Sequence, residues 1–221
     1  MPQDARRPRT GLLVPGILLI TASVGLGIAL EADTHLLELD ARWARGIVAT
    51  RGPVGDAIAL AFDRVGGGVI GIVVVPLLIA AVLLARRHYR TLIVYLAASL
   101  ASGLAVQVMK HLFARERPEH MIVISDFGSF PSGHTANAAT AAALLVLFLP
   151  RAWAGVAAVA YVLLMAVCRT YVGAHWLTDT IGGVLVGAGV ALLVVALADR
   201  LAPRPRENPG GERIAPPRNT P

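Results

Sequence analysis

The chain has 221 residues, of which 56% are hydrophobic and only 15% are charged, and its formal net charge is +6. A soluble domain carries about 25% charged residues, so this composition indicates a membrane protein instead. Aromatic residues are few and basic residues gather at the ends of apolar segments, which argues against nucleic-acid binding. The single cysteine, Cys168, excludes an intrachain disulfide and a metal site built from several cysteines.

The first apolar run extends from Gly11 to Leu30 and follows a polar start that contains Arg6, Arg7 and Arg9. A bilayer is crossed by about 20 helical residues, so this run is long enough to span it. A cleavable signal peptide has the same basic start, but its apolar core is shorter, and no clean small-x-small cleavage site follows here. We therefore expect an uncleaved first span after a cytoplasmic N-terminal tail at residues 1–10.

Residues 31–65 mix acidic, basic and apolar side chains. The apolar ones recur at three- and four-residue steps: Leu36, Leu39, Trp43 and Ile47. That spacing predicts an amphipathic helix lying at the membrane interface. Gly52-Pro53 breaks the pattern, and a second short helix is expected at about 54–63. We expect the whole segment to be an extracytoplasmic, interfacial helical segment between the first two spans.

Further apolar runs predict five more spans, at residues 66–85, 91–109, 135–149, 152–167 and 180–198. The predicted fold class is thus all-α, a six-transmembrane-helix bundle over residues 11–198. Residues 199–221 are rich in Pro, Arg and Gly and should form a disordered cytoplasmic tail. Six spans put both termini on one side, together with twelve of the 20 Lys and Arg residues. The positive-inside rule then places both termini in the cytoplasm. The three polar blocks, which are described next, fall on the extracytoplasmic face of the cell (plasma) membrane.

The first polar block runs from Lys110 to Arg117-Pro118. Lys110 and Arg117 are seven residues apart, about two helical turns, so they project from one side if the helix continues to Pro118. Lys110 and Arg115 also fit a simpler interpretation, as basic residues that snorkel to the membrane boundary.

The second block is Pro131-Ser132-Gly133-His134, immediately before the predicted fourth span. Ser132 can cap the start of that helix, and Gly133 lets backbone N–H groups approach a ligand. A helix N-terminus preceded by such a turn binds anions readily. A plain cap would explain Ser132, but it would not require His134.

The third block contains Arg169, His175 and Asp179. His175 and Asp179 are four residues apart, so we expect them to be neighbours on one helical face. The carboxylate can hold one ring nitrogen and leave the electron pair of the other facing a substrate. Asp179 is also favourably placed at a helix N-terminus, but that placement does not account for the histidine beside it.

His134, His175 and Asp179 could instead form a metal site with two histidines and one carboxylate. The same stretch carries three cations, which would repel a divalent ion and suit a phosphate dianion: Lys110, Arg117 and Arg169. We therefore expect a phosphate site without a metal or another cofactor.

The three blocks resemble the signature motifs of the type 2 phosphatidic acid phosphatase family, which shares its site with vanadium haloperoxidases. The family pattern is Lys, six residues, Arg-Pro; then Pro-Ser-Gly-His; then Ser-Arg, five residues, His, three residues, Asp. This chain matches it with Lys110 and Arg117-Pro118, with Pro131 to His134, and with Arg169, His175 and Asp179. It departs from the pattern at Cys168, where the family usually has serine.

The resemblance implies a metal-independent, acid-phosphatase-like lipid phosphatase that works through a phosphohistidine intermediate. His175 would be the nucleophile, Asp179 would orient it, and His134 would protonate the leaving oxygen and then help to activate water. The phosphate oxygens would be bound by Lys110, Arg117, Ser132, Gly133 and Arg169. The implied substrates are phosphatidic acid, phosphatidylglycerophosphate or polyprenyl diphosphate, which reach the site from the bilayer.

Two other functions fit parts of the pattern. A membrane phosphotransferase would use the same phosphohistidine and pass the group to another lipid or sugar. A transporter of a phosphorylated solute would explain the spans and the cations but gives no role to the pair of His175 and Asp179. The sequence assigns no role to Glu116, Glu119 or Asp126, and it does not indicate an oligomeric state.

Overall fold

The computed structural model describes residues 9–67 and 70–201, and in this part of the chain all regular structure is helical, without β-strands. A short 3₁₀ helix at Thr10–Leu12 leads into the first α-helix, and a π-helical segment at Ile70–Val74 leads into the fourth. The α-helices are α1 Leu13–Ala32, α2 Thr34–Ala49, α3 Pro53–Gly66, α4 Val75–Ala85, α5 Tyr89–Phe113, α6 Gly133–Phe148, α7 Ala152–Tyr171 and α8 Leu177–Leu201. The predicted all-α class is confirmed.

Within residues 9–67 and 70–201, four helices are long and apolar enough to cross a membrane: α1 with its 3₁₀ start, α5, α7 and α8. The other two predicted spans correspond to shorter apolar helices, α4 with 11 residues and α6 with 16. On α5, large apolar side chains stay more than half exposed at Ile93, Leu100 and Leu104, as expected of a face turned to lipid. The chain is therefore an integral membrane protein, while the count of six spans stays a prediction.

The last helix, α8, packs against α1, α5, α6 and α7 and forms the centre of the bundle. Glycines allow this close packing. A Cβ added at Gly187 would collide with the backbone of Ala136 in α6, and one at Gly189 would lie 2.9 Å from the carbonyl oxygen of Gly16 in α1. Small residues of this kind let helix backbones approach each other in membranes, where van der Waals packing drives association.

Helices α2 and α3 form the segment predicted to be interfacial, and the chain breaks between them at Gly52-Pro53 as expected. Helix α2 packs on α7 and α8, and α3 packs on α7 and α6, at the end of the bundle where the polar blocks lie. The Tyr171 hydroxyl, at the end of α7, fixes this arrangement because it accepts from the Gly52 N–H at 3.0 Å and donates to Asp56 at 3.0 Å. The location of α2 and α3 relative to a membrane stays a prediction.

Two helical interpretations of the polar blocks do not agree with the structure. Helix α5 does not continue to Pro118: it ends at Phe113, because Ala114 takes a left-handed conformation with φ 43° and its N–H closes on the Lys110 carbonyl. Lys110 therefore lies in the last helical turn and Arg117 in the loop. His175 likewise precedes α8 and does not share a helical face with Asp179.

The ends of the chain agree in part with the expectations. Helix α8 continues to Leu201, so the first three residues of the tail predicted at 199–221 are helical. The rest of that tail, and residues 1–8 of the predicted N-terminal tail, lie outside the described residues.

Candidate active site

Residues of all three polar blocks come together at one end of the bundle. The Ser132 N–H donates to the carbonyl oxygen of Asp179 at 2.9 Å, which joins the second block to the third. Arg117 Nη1 lies 3.5 Å from His175 Nε2, which joins the first block to the third. The Phe130-Pro131 peptide bond in front of α6 is cis.

Lys110 and Arg117 converge on one carboxylate, that of Asp126. Its Oδ1 accepts from Lys110 Nζ at 2.8 Å and from Arg117 Nη2 at 2.7 Å. Arg117 also donates to the carbonyl oxygens of Gly128 and Ala174, at 2.7 and 2.5 Å, so the loop fixes its guanidinium. Burial opposes ionisation of Asp126, but the hydrogen bond and charge of Lys110 and the charge of Arg117 bring its pKa below the ordinary value.

His175 is held with one ring nitrogen turned toward Arg117. Its Nδ1 lies 2.8 Å from the carbonyl oxygen of Ser129 and 3.6 Å from Asp179 Oδ2. A carbonyl oxygen can only accept, so Nδ1 carries the proton and Nε2 keeps its electron pair. The nearer partner is thus the Ser129 carbonyl, which the sequence did not indicate.

The pKa of His175 lies well below its ordinary value of 6.5. Burial is the main cause, and the positive charges of Arg169, Arg117 and Lys110 act in the same direction. The imidazole is therefore neutral near pH 7, the state in which Nε2 can act as a nucleophile.

Asp179 is fully buried, and both of its oxygens have donors. Oδ1 accepts from Arg115 Nη1 at 2.6 Å, and Oδ2 accepts from the Trp176 N–H at 2.8 Å. Arg115 also contacts Asp40 of α2, with Nη2 2.7 Å from Oδ2. The interpretation of Arg115 as a residue that snorkels to the membrane boundary is wrong, because its guanidinium points inward between two buried carboxylates.

Helix α3 brings a further carboxylate, Asp63, to the residues His134 and Arg169. His134 Nε2 lies 3.1 Å from the Asp63 carbonyl oxygen and 3.6 Å from its carboxylate. Arg169, whose side chain is 3% exposed, forms an ion pair with the same carboxylate. Gly67 leaves room for the His134 ring, since an added Cβ would overlap it.

Ser132 caps α6 as predicted, accepting from the Thr135 N–H at 3.5 Å. Gly133 begins the helix, and a Cβ added there would meet only the Val106 side chain, at 3.6 Å. Cys168 is buried in an apolar cluster with Ala59 of α3.

The described part of the site pairs each of its cations with a carboxylate. The cations are Lys110, Arg115, Arg117 and Arg169, and the carboxylates are Asp40, Asp63, Asp126 and Asp179. The exposed fractions of these carboxylate side chains differ sharply: 58% for Asp126, 23% for Asp63, and 1% or less for the other two. Asp126 is therefore the carboxylate that an incoming anion can displace most easily.

The sequence contained a signal for two of these acids. On α2, the half-buried residues Leu36, Trp43 and Ile47 form one face with Asp40, which is buried. On α3, Asp63 lies one turn from the buried residues on either side, Ala59 and Gly66. A carboxylate on the inward face of a helix needs a buried partner, which marks it as part of a polar site. Asp126 lies in a loop, where no periodic pattern could reveal it.

Comparison with known proteins places the polar blocks in a family context. The sequence model of the PAP2 superfamily matches residues 91–202. Decaprenylphosphoryl-5-phosphoribose phosphatase of Mycobacterium tuberculosis is 35% identical over 143 residues, which are 62% of this chain and 77% of that protein. Undecaprenyl-diphosphatase of Sulfolobus acidocaldarius is 29% identical over 128 residues, which are 54% of this chain and 61% of that protein. This match thus covers less than two thirds of the Sulfolobus protein.

The fold also has a counterpart among solved structures. A transmembrane PAP2-type phosphatidylglycerolphosphate phosphatase from Bacillus subtilis superposes with a TM-score of 0.75, covering 85% of this chain and 97% of that chain. The two sequences are 23% identical, so this likeness concerns the fold.

Proposed function

Because the chain belongs to the PAP2 superfamily, we propose that it is a membrane lipid phosphatase that hydrolyses a phosphomonoester or diphosphate headgroup. The observation that carries the proposal is the geometry of His175. Its Nε2 carries no proton and its electron pair faces the Arg117 guanidinium at 3.5 Å, while Ser129 and Asp179 lie beside Nδ1. A neutral imidazole with one nitrogen held and the other directed at a cationic pocket suits nucleophilic attack on phosphorus.

The proposed membrane arrangement has six spans, with α4 and α6 as the short ones. Both termini lie in the cytoplasm, and α2, α3 and the site lie at the outer face of the cell membrane. This arrangement is supported by the distribution of Lys and Arg and by the position of the site at one end of the bundle. A lipid whose tail stays in the bilayer then reaches the site laterally, and no soluble carrier is needed.

Substrate binding begins with the exchange of one anion for another. The phosphoryl oxygens replace the Asp126 carboxylate between Lys110 and Arg117, and a dianion binds these cations more strongly than a single carboxylate does. Arg169 and the N-terminus of α6 at Ser132-Gly133 contribute further positive potential.

In the first chemical step, His175 Nε2 forms a bond to phosphorus as the bond from phosphorus to the leaving oxygen breaks. His134 gives that oxygen a proton. Its Nε2 faces a carbonyl oxygen, which can only accept, so this nitrogen carries a proton. The bound phosphate dianion favours protonation of Nδ1 as well, so the cationic ring can give up one proton and become neutral. With Nδ1 still protonated, the phosphorylated ring of His175 is a cation, and the nearby Asp179 carboxylate stabilises it.

In the second step, water attacks phosphorus and the bond from His175 Nε2 to phosphorus breaks, which releases phosphate. His134, now neutral and with a free electron pair, accepts the proton of the water and returns to its starting state. Neither step requires a metal ion or another cofactor.

The proposed substrate class is a long-chain lipid phosphate. Polyprenyl phosphates and diphosphates are the first members to test, because two relatives carry names of polyprenyl-lipid phosphatases. Phosphatidic acid and phosphatidylglycerophosphate are the other candidates.

The test is phosphate release by purified protein in detergent, measured on this lipid panel with and without a chelator. We expect release that is insensitive to the chelator, lost in His175→Ala and strongly reduced in His134→Ala. The matched control is His88→Ala, an exposed histidine before α5 that should keep full activity. Full activity of a well-folded His175→Ala would overturn the proposal.

A labelled phosphoryl group found on an acceptor lipid or sugar would indicate the phosphotransferase, and uptake into proteoliposomes without hydrolysis would indicate the transporter.

A further inference from the structure

Arg115 joins two buried carboxylates that lie far apart in the sequence. Its Nη1 is 2.6 Å from Asp179 Oδ1, and its Nη2 is 2.7 Å from Asp40 Oδ2. The exposed fractions of the Arg115, Asp40 and Asp179 side chains are 13%, 1% and 0%. Two carboxylates in a place without water need such a shared cation, since an isolated buried charge is strongly disfavoured.

Asp40 is itself fixed by the first residues of α8. The Thr178 N–H donates to its Oδ1 at 3.0 Å, and the Thr178 hydroxyl donates to its Oδ2 at 2.5 Å. Arg115 Nη1 also donates to the Thr178 hydroxyl, at 2.8 Å. Asp40 therefore cannot turn away from Arg115. It belongs to α2, which lies outside the residues matched by the family model, 91–202.

This network determines the orientation of Asp179. With Oδ1 bound to Arg115 and Oδ2 bound to the Trp176 N–H, the carboxylate cannot rotate, and Oδ2 stays 3.6 Å from His175 Nδ1. Burial opposes ionisation of this carboxylate, and the adjacent guanidinium acts against that effect and favours the ionised form. An ionised and immobile Asp179 is the state that stabilises the cationic ring of phosphorylated His175.

We propose that Arg115 and Asp40 are positioning residues for the phosphoryl-transfer step, acting through Asp179 on His175. This inference rests on the proposed function. It makes α2 part of the catalytic unit: Asp40 holds Arg115, Arg115 holds Asp179, and Asp179 supports the nucleophile. Neither positioning residue touches the phosphoryl group, so both act on the rate of the chemical step and not on substrate affinity.

The test compares kcat and KM for Asp40→Asn and Arg115→Lys with the wild type, using the best lipid substrate in detergent. Removing a residue that orients Asp179 weakens an interaction made in the transition state, so we expect kcat to fall by about tenfold. KM should stay within about twofold of the wild-type value, because the contacts that bind the substrate before the reaction are unchanged. Arg115→Lys keeps one cation and should retain more activity than Arg115→Met. The matched control is Glu38→Gln, an exposed acid of α2 paired with Arg42, which should behave like the wild type.

Adding Asp40→Asn to an Asp179→Asn variant distinguishes a positioning role from simple structural support. In Asp179→Asn, the group through which Asp40 acts is already lost, so adding Asp40→Asn should lower kcat by less than about twofold. A purely structural role would give the same loss in both backgrounds. If Asp40→Asn does not yield folded protein, Thr178→Val removes only the hydroxyl that Asp40 and Arg115 share, and it should lower kcat at unchanged KM.

The inference is overturned if folded Asp40→Asn and Arg115→Lys keep the wild-type kcat. It is also overturned if Asp40→Asn costs the same factor in the Asp179→Asn background. Either result leaves the proposed function intact as long as His175→Ala is inactive. Activity that survives in His175→Ala would overturn the proposed function itself, so the two failures are distinguishable.

Discussion

Asp126 is the residue whose position most directly affects substrate binding. Its carboxylate lies between Lys110 and Arg117, where the proposal places phosphoryl oxygens, and its side chain is 58% exposed. The loop that carries it therefore competes with the substrate for the same two cations. A charge-assisted hydrogen bond contributes about 1.5–3 kcal/mol, so this competition is large enough to measure.

We predict that Asp126→Asn binds inorganic phosphate more tightly than the wild type does. The amide attracts the two cations less than the carboxylate does, so the inhibition constant of phosphate should fall by about tenfold, which corresponds to about 1.4 kcal/mol. The measurement is product inhibition of lipid phosphate hydrolysis. Glu119→Gln, an exposed acid in the same loop, is the control and should leave the constant unchanged. An unchanged or higher constant in Asp126→Asn would show that Asp126 does not compete with phosphate.

At the scale of helices, the site depends on the close packing of α6 against α8. Helix α6 carries Ser132 as its cap and His134 in its first turn, and Asp179 lies at the start of α8. Gly187 allows the two backbones to approach, since any side chain there would collide with Ala136. A change at Gly187 should therefore reach the site through the helices, although the residue lies two turns from Asp179.

We predict that Gly187→Val destabilises the protein by about 1–3 kcal/mol, because overpacking forces α6 away from α8. The measurement is thermal unfolding in detergent. Gly103→Val on α5 is the control: a Cβ there meets nothing within 4 Å, so its unfolding temperature should stay close to that of the wild type. Equal unfolding temperatures for the two variants would contradict the account of the packing between α6 and α8.

Local patterns in the sequence predicted the helices but not the pairing of their polar side chains. The Gly52-Pro53 break and the Ser132 cap depend on neighbouring residues, and both are present in the structure. The span predicted to end at about Met109 continues to Phe113, and it stops there because Ala114 takes a left-handed conformation that few non-glycine residues adopt.

The partners of Arg115 were missed for a different reason. Its contact with Asp40 spans 75 residues and its contact with Asp179 spans 64, so neither arises from a local repeat. The position of Asp40 among the apolar residues of α2 was the available sign that this acid is buried. A sequence can thus indicate that a carboxylate needs a partner without identifying the partner.

For the molecule as a whole, the low pKa of His175 predicts how activity and stability depend on pH. The folded protein keeps this histidine neutral below its ordinary pKa of 6.5, because burial and the nearby cations oppose its protonation. The nucleophile should therefore remain available when the pH falls below 6.5, and single-turnover formation of the phosphoenzyme should show no loss of rate centred there.

Unlike this rate, the stability of the folded protein should depend on pH in the same range. Below about pH 6.5 the unfolded chain binds a proton at residue 175 and the folded chain does not, so the free energy of unfolding falls as the pH drops. The fall begins near 6.5 and continues down to the lower pKa of the folded state. Denaturation of the wild type and of His175→Ala across pH 5–8 measures this difference, and parallel curves for the two proteins would contradict it.

The central claim is that His175 carries the phosphoryl group between lipid and water. The most direct measurement is a rapid alkaline quench of protein mixed with a labelled lipid phosphate, followed by mapping of the acid-labile phosphate by mass spectrometry. We predict phosphorylation on His175 alone, formed faster than steady-state turnover and absent from His175→Ala. Stable turnover by His175→Ala, or label on a different residue, would contradict the account.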